Sequence, residues 1–264
     1  MRRSIPLLLG LLLTTPAAAA SGDCAGPSPD LHAATAGGCL AQMERLIARG
    51  EPLEARNETG DTALLLAAKR GRTEAALLLL GAGADPSRAD RRQITPLAVA
   101  VYKGDERLVG ALLAAGVTAD QWREVCQGRR GLIDYAARQG QAGIIAKLLA
   151  AGLDANVRSA QDWTPLMRVA AHGSEVPPVR ALATMELLLA RGAQVDLANH
   201  QGRTALMLAA QRDRVEIVAL LLAHGADPTR LDFQEENAMD LTQDGRVLDL
   251  LGHAAQERAP VIDF

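Results

Sequence analysis

The side chains able to do chemistry are few and far apart. Histidines stand at His32, His172, His200, His224 and His253, and cysteines at Cys24, Cys39 and Cys126. A nucleophilic site needs a Ser or Cys within reach of a base that an acid in turn orients. Asp85, Asp154 and Asp227 each close a Gly-x-Asp triplet and would suit a hard cation, provided the fold brought their oxygens together. Neither a G-x-x-x-x-G-K phosphate loop nor a dinucleotide fingerprint is present. Whether any of these groups converge depends on the elements that carry them.

Those elements repeat. Residues 62–71 (TALLLAAKRG), 95–104 (TPLAVAVYKG), 131–140 (GLIDYAARQG), 164–173 (TPLMRVAAHG) and 204–213 (TALMLAAQRD) align, their starts 33, 36, 33 and 40 residues apart. Residues 29–38 (PDLHAATAGG) precede the first by 33, and 237–241 (NAMDL) follow the last by 33, as degenerate end units. Each unit continues into a second apolar segment, such as 75–80 (AALLLL) or 215–222 (VEIVALLL), closed by Gly83, Gly116, Gly152, Gly192 or Gly225. A fixed period of this length signals stacked repeats.

The recurring letters have physical reasons. Thr62, Thr95, Thr164 and Thr204 are placed to cap a first helix by accepting from an orphan N–H. Pro96 and Pro165 follow at the first helical position, where a missing N–H is harmless. Leu64, Leu97, Leu132, Leu166 and Leu206, with Ala pairs a turn later, form one apolar face. The closing glycines sit where a left-handed residue ends a helix. No unit of this length buries its own faces, so stability must come from stacking.

On these residues the chain resembles the ankyrin-repeat family, whose pattern runs G-x-T-P-L-H-x-A-A, G-x-x-x-I-V-x-L-L-L, G-A-D. The resemblance implies an all-α solenoid of stacked helix-turn-helix units with finger turns, legible from about residue 29 to 252. The units fall near 29–61, 62–94, 95–130, 131–163, 164–203 and 204–236, with a C-terminal cap at 237–252 and a tail at 253–264. Gly131 replaces the Thr cap, and about three extra residues precede it, so the finger around residues 117–130 is expected to be irregular. Seven extra residues near 174–181, with Pro177 and Pro178, predict a bulging turn between two helices on the side away from the fingers. The His of the pattern survives only as His32; Leu65, Ala98, Asp134, Met167 and Met207 replace it.

Repeats spaced about 10 Å apart keep Asp85, Asp154 and Asp227 from converging, so they are expected to be turn residues. Separation by repeats likewise keeps the histidines from any Ser or Cys nucleophile. No catalytic residue, metal or cofactor is expected.

Composition points outward from a cell. Met1 to Arg3 is basic, Ile5 to Leu13 apolar, and Ala18 to Ala20 small, the pattern of a secretory signal over 1–20, with a linker at 21–28. No stretch reaches the roughly 20 apolar residues of a spanning helix. Asp23 before Cys24 argues against a lipid-attachment site. Ala, Gly and Arg bias suits a GC-rich bacterial genome, and the reading is a periplasmic protein. Three cysteines in an oxidising place leave one unpaired; Cys24 with Cys39 could close a loop on the first repeat, and Cys126 falls in the irregular finger. The net charge is −3, which does not favour nucleic acid as a partner.

In the resembled family, partners lie across the concave face of finger turns and first helices. Carried onto this register, the face comprises Arg91, Arg92, Val99, Arg130, Tyr135, Trp163, Arg168, Arg203, Leu208 and Phe233. Tyr, Trp and Arg are the residues enriched in binding hot spots, and the arginines predict an acidic protein surface as partner, bound by a monomer. The function implied is non-enzymatic protein binding in the bacterial envelope. Neutralising a toxin as an immunity protein, or an atypical hydrolase, are the competing readings.

Overall fold

The computed structural model describes residues 24, 30–117, 131–171 and 176–258. The expected signal peptide, the linker apart from Cys24, Cys126, Arg130 and the last residues of the tail lie outside them. Helix pairs follow one another: α1 (Leu31–Gly37) with α2 (Leu40–Ala48), α3 (Ala63–Arg70) with α4 (Thr73–Gly81), and α5 (Pro96–Lys103) with α6 (Glu106–Ala114). Then come α7 (Leu132–Arg138) with α8 (Ala142–Ala150), α9 (Pro165–Ala170) with α10 (Pro178–Ala190), and α11 (Ala205–Ala210) with α12 (Val215–Ala223), closed by α13 (Gly245–Arg258). First helices pack on first helices in an inner row, α1 through α11, and second helices form an outer row ending on α13. The chain is thus a two-layered solenoid, and no strand occurs among the described residues.

Local chemistry sets the helix ends. The hydroxyls of Thr62, Thr95, Thr164 and Thr204 accept from the N–H of Leu65, Ala98, Met167 and Met207, and Asp30 caps α1 through Ala33. Gly131 starts α7 with no side-chain cap. Gly83, Gly116, Gly152, Gly192 and Gly225 all have positive φ, from 84° to 95°, the left-handed geometry that lets the chain leave an outer helix.

Packing follows the period. Leu64, Leu97, Leu166 and Leu206 are fully buried in one continuous core. In the unit lacking Thr, Ile133 rather than Leu132 takes that register position, although both are buried. Burying each such side chain contributes about 2 kcal/mol.

Two expectations about the insertion and the end need correcting. The extra residues do not all form a bulging turn: Pro178 starts α10, which has 13 residues against nine in α8, and Val176 is buried, its methyl packed against Gly140. Proline at a first helical position explains the added turn. At the far end α13 continues past the expected boundary between cap and tail at 252 to Arg258, whose guanidinium donates to the carbonyl of Gly225 just beyond α12.

Candidate partner-binding face

The fingers between repeats are built on one polar residue five before each Thr cap, or before Asn237 in the last unit. Asn57, Asp90, Ser159, Asn199 and Asp232 donate their N–H to the carbonyl four residues on, at 2.8–3.1 Å. The Oδ1 of Asp90 also accepts from the N–H of Arg92 and Ile94, both at 2.9 Å. Asn57, Asn199 and Asp232 do the same in their own turns. This Asx device was missed from sequence, though the constant spacing was there to read. It closes the fingers without the histidine of the family pattern; where that residue survives, His32 Nε2 donates to the carbonyl of Asp61 at 3.1 Å.

Neighbouring fingers are laced together. Arg56 donates to the carbonyl of Ala89 at 2.8 Å, the N–H of His200 to Gln161 at 3.1 Å and the N–H of Phe233 to Gln201 at 3.0 Å. Tips of adjacent fingers are thus joined on both sides of the finger at 118–130, which lies outside the described residues.

Not every residue expected on that face reaches solvent. Arg91 and Arg92 are exposed on their fingertip, with no ion pair to either among the described residues. Phe233 is 78% exposed, its ring resting against Gly202. Val99 and Leu208, expected to be surface-lining, are instead 8% and 5% exposed. Both belong to the hydrophobic cluster that joins adjacent inner helices, because that register position falls between helices. Arg130 lies outside the described residues.

The expected basic stripe is also corrected. Arg168 is bound to Asp134, Nε to Oδ1 at 2.6 Å, and its guanidinium lies 4.3 Å over the ring of Trp163. Trp163 is half-buried against the core. Arg203 donates from Nε to Asp232 at 2.9 Å and from Nη2 to Gln234 and Glu236. Lys69 reaches both Asp61 and Asp90 at 2.7 Å. These cations are neutralised within the solenoid. Tyr135 is half-buried and its ring packs against Tyr102, centroids 5.2 Å apart and tilted by 31°. Tyr102, which sequence reading passed over, is 68% exposed.

Two finger carboxylates of this network, Asp90 and Asp232, are held below their ordinary value. Burial pushes Asp90 upward, but hydrogen bonds from Lys69 and from the N–H of Ile94 and Arg92 more than reverse it. Asp232 behaves alike: burial opposes, and the N–H of Glu236 and Gln234 with Arg203 prevail. Burial, then the neighbouring Tyr102, push the Tyr135 phenol above its ordinary value.

Asp85, Asp154 and Asp227 occupy turns as expected, accepting from the N–H of Ser87, Asn156 and Thr229 at 2.9, 2.8 and 3.0 Å. Cys24 and Cys39 are joined in a disulfide, Cα atoms 5.7 Å apart. No helix of the described residues is long and apolar enough to cross a membrane.

The profile of the ankyrin repeats matches residues 31–123 and 133–232, and the chain belongs to this family of protein-interaction modules. It is 28% identical over 192 residues to the putative ankyrin repeat protein YahD of Escherichia coli, covering 72% of this chain and 92% of that one. The human ASB11 ankyrin repeat domain superposes with a TM-score of 0.68 at 27% identity, over 86% of this chain and 97% of its own. A similar fold is seen in the immunity protein Bd3460, solved in complex with the Bd0816 predatory endopeptidase of Bdellovibrio bacteriovorus. There the TM-score is 0.59 at 24% identity, over 74% of this chain and 98% of the matched one.

Proposed function

We propose that this chain is an exported bacterial ankyrin module that carries out no reaction itself and binds a partner protein across its fingertips and inner helices. The observation that carries the reading is a set of exposed side chains on that face, of which the arginines have no ion pair among the described residues. Arg91 and Arg92 project from one fingertip and Phe233 from another. Arg and aromatic side chains are enriched in binding hot spots, and here they are offered at two separate fingertips of the same face. The signal-like segment at 1–20 and the Cys24–Cys39 disulfide suit an oxidising compartment such as the periplasm.

The test is affinity capture from a periplasmic extract with the mature, disulfide-bonded chain and with an Arg91→Glu/Arg92→Glu/Phe233→Ala variant. One stoichiometric partner, lost with the variant, supports the reading; no partner, or one retained by the variant, overturns it. The immunity reading draws on the likeness in fold to Bd3460. It requires that the captured partner be an enzyme or toxin whose activity the chain suppresses. Turnover of ester or peptide substrates by the chain alone would return it to the hydrolases.

A further inference from the structure

The tilted Tyr102–Tyr135 pair stands among cations that form no ion pair with the described residues. Lys103 adjoins Tyr102 at the end of α5, Arg138 lies one turn beyond Tyr135 on α7, and Arg70 takes the position of Lys103 one repeat earlier, at the end of α3. All three cations are exposed, and none enters an ion pair among the described residues. The contrast with Lys69, Arg168 and Arg203, each bound to buried carboxylates, separates structural cations from available ones. We infer that the Tyr102–Tyr135 pair with Arg70, Lys103 and Arg138 is a docking site for an extended acidic segment of a partner protein. This rests on the protein-binding reading above and narrows it to the inner helices of the second to fourth repeats.

The spacing selects a polypeptide. Successive inner helices stand about 10 Å apart, and an extended chain rises about 3.3 Å per residue. Carboxylates at every third position of a strand-like segment would come opposite the equivalent Arg70 and Lys103, with Arg138, one register position earlier in its own repeat, next along the line. The two phenols, tilted by 31° to one another, supply an aromatic surface for a proline or aromatic side chain lying between those carboxylates. A nucleic acid offers unbroken, closely spaced negative charge instead of one carboxylate per repeat.

The experiment titrates the mature, disulfide-bonded protein with a fluorescein-labelled extended peptide of about twelve residues, with Glu at every third position and Pro and Tyr between. Comparison probes are the same peptide with Gln for Glu, a peptide with its Glu residues contiguous, and a single-stranded oligodeoxythymidylate of equal charge. The register peptide is expected to bind best and to weaken as salt rises. Arg70→Gln/Lys103→Gln/Arg138→Gln and, separately, Tyr102→Ala should each lower its affinity about tenfold or more. Arg212→Gln, an exposed cation on the sixth repeat away from the pair, should leave it unchanged. Thermal melting of every variant excludes unfolding as the cause, and Tyr102 is exposed enough for its truncation to be tolerated. No binding of the register peptide, equal binding of the Gln or contiguous peptide, tighter binding of the oligonucleotide, or unchanged affinity in both variants overturns the inference. A captured partner that is lost with the fingertip variant and retained by the patch variants would sink this site alone and leave the interaction role standing.

Discussion

Arg168 and Asp134 come from inner helices of successive repeats and meet at 2.6 Å, with the carboxylate side chain 4% exposed and the guanidinium side chain 19% exposed. The pair fastens the fourth repeat to the fifth, and Trp163 covers the guanidinium. Removing one member of a buried pair leaves an uncompensated charge. Asp134→Ala is therefore expected to cost on the order of 3 kcal/mol, read as a lower urea midpoint. The double variant Asp134→Leu/Arg168→Met should recover most of that loss, and failure to recover would mean the pair is not what holds the two repeats.

The low-titrating finger carboxylates predict an acid limb of stability. Asp90 and Asp232 have folded values below their ordinary ones, so their contribution is complete above the unfolded carboxyl value near 3.9 and is lost as pH falls through the folded value. Lys69 has the opposite sign: burial lowers it, but hydrogen bonds to Asp61 and Asp90 prevail and raise it. Its contribution is full below about 10.4 and is lost as pH rises through the raised value. Urea midpoints should thus hold level between these limits with respect to this network. Asp90→Asn with Asp232→Asn should flatten the acid limb; an unaltered limb would place its origin elsewhere.

Fingertip geometry predicts two substitutions of opposite sign. Gly202 has φ of 80°, and an added Cβ would meet the backbone nitrogen of Phe233 and the Cα of Asp232. Gly202→Ala should destabilise by about 2 kcal/mol or more and move the Phe233 finger. The equivalent position one repeat on holds Glu235 at φ 63°, an exposed residue. Glu235→Gly relieves left-handed strain and gives back part of that in unfolded-chain entropy, for a net gain of about 0.5–1 kcal/mol. Differential scanning calorimetry of the two variants checks both signs.

The disulfide spans 15 residues, and closing a loop of that length stabilises by about 3 kcal/mol in the chain-entropy account. Dithiothreitol should lower the melting temperature of the wild type and leave Cys24→Ser unaffected. A reductant-insensitive wild type would show that the bridge does not secure the first repeat.

Much of this protein is legible along the chain because its determinants are local. Thr62, Thr95, Thr164 and Thr204 cap helices through an N–H three residues away. The glycines ending the outer helices are needed for their own backbone angle, so period, helix pairs and family follow from residue order alone. The candidate face is different, because it depends on pairs between repeats. Arg168 and Arg203 look like free surface cations until the fold brings Asp134, 34 residues earlier, and Asp232, 29 later, against them. Val99 and Leu208 share a register position with the half-buried Tyr135 and are themselves closed over where inner helices pack. Tyr102 joins Tyr135 only across a repeat boundary. Backbone chemistry within a few residues wrote the solenoid into the sequence, whereas side-chain reach between stacked helices decided in three dimensions which charges and rings remain available to a partner.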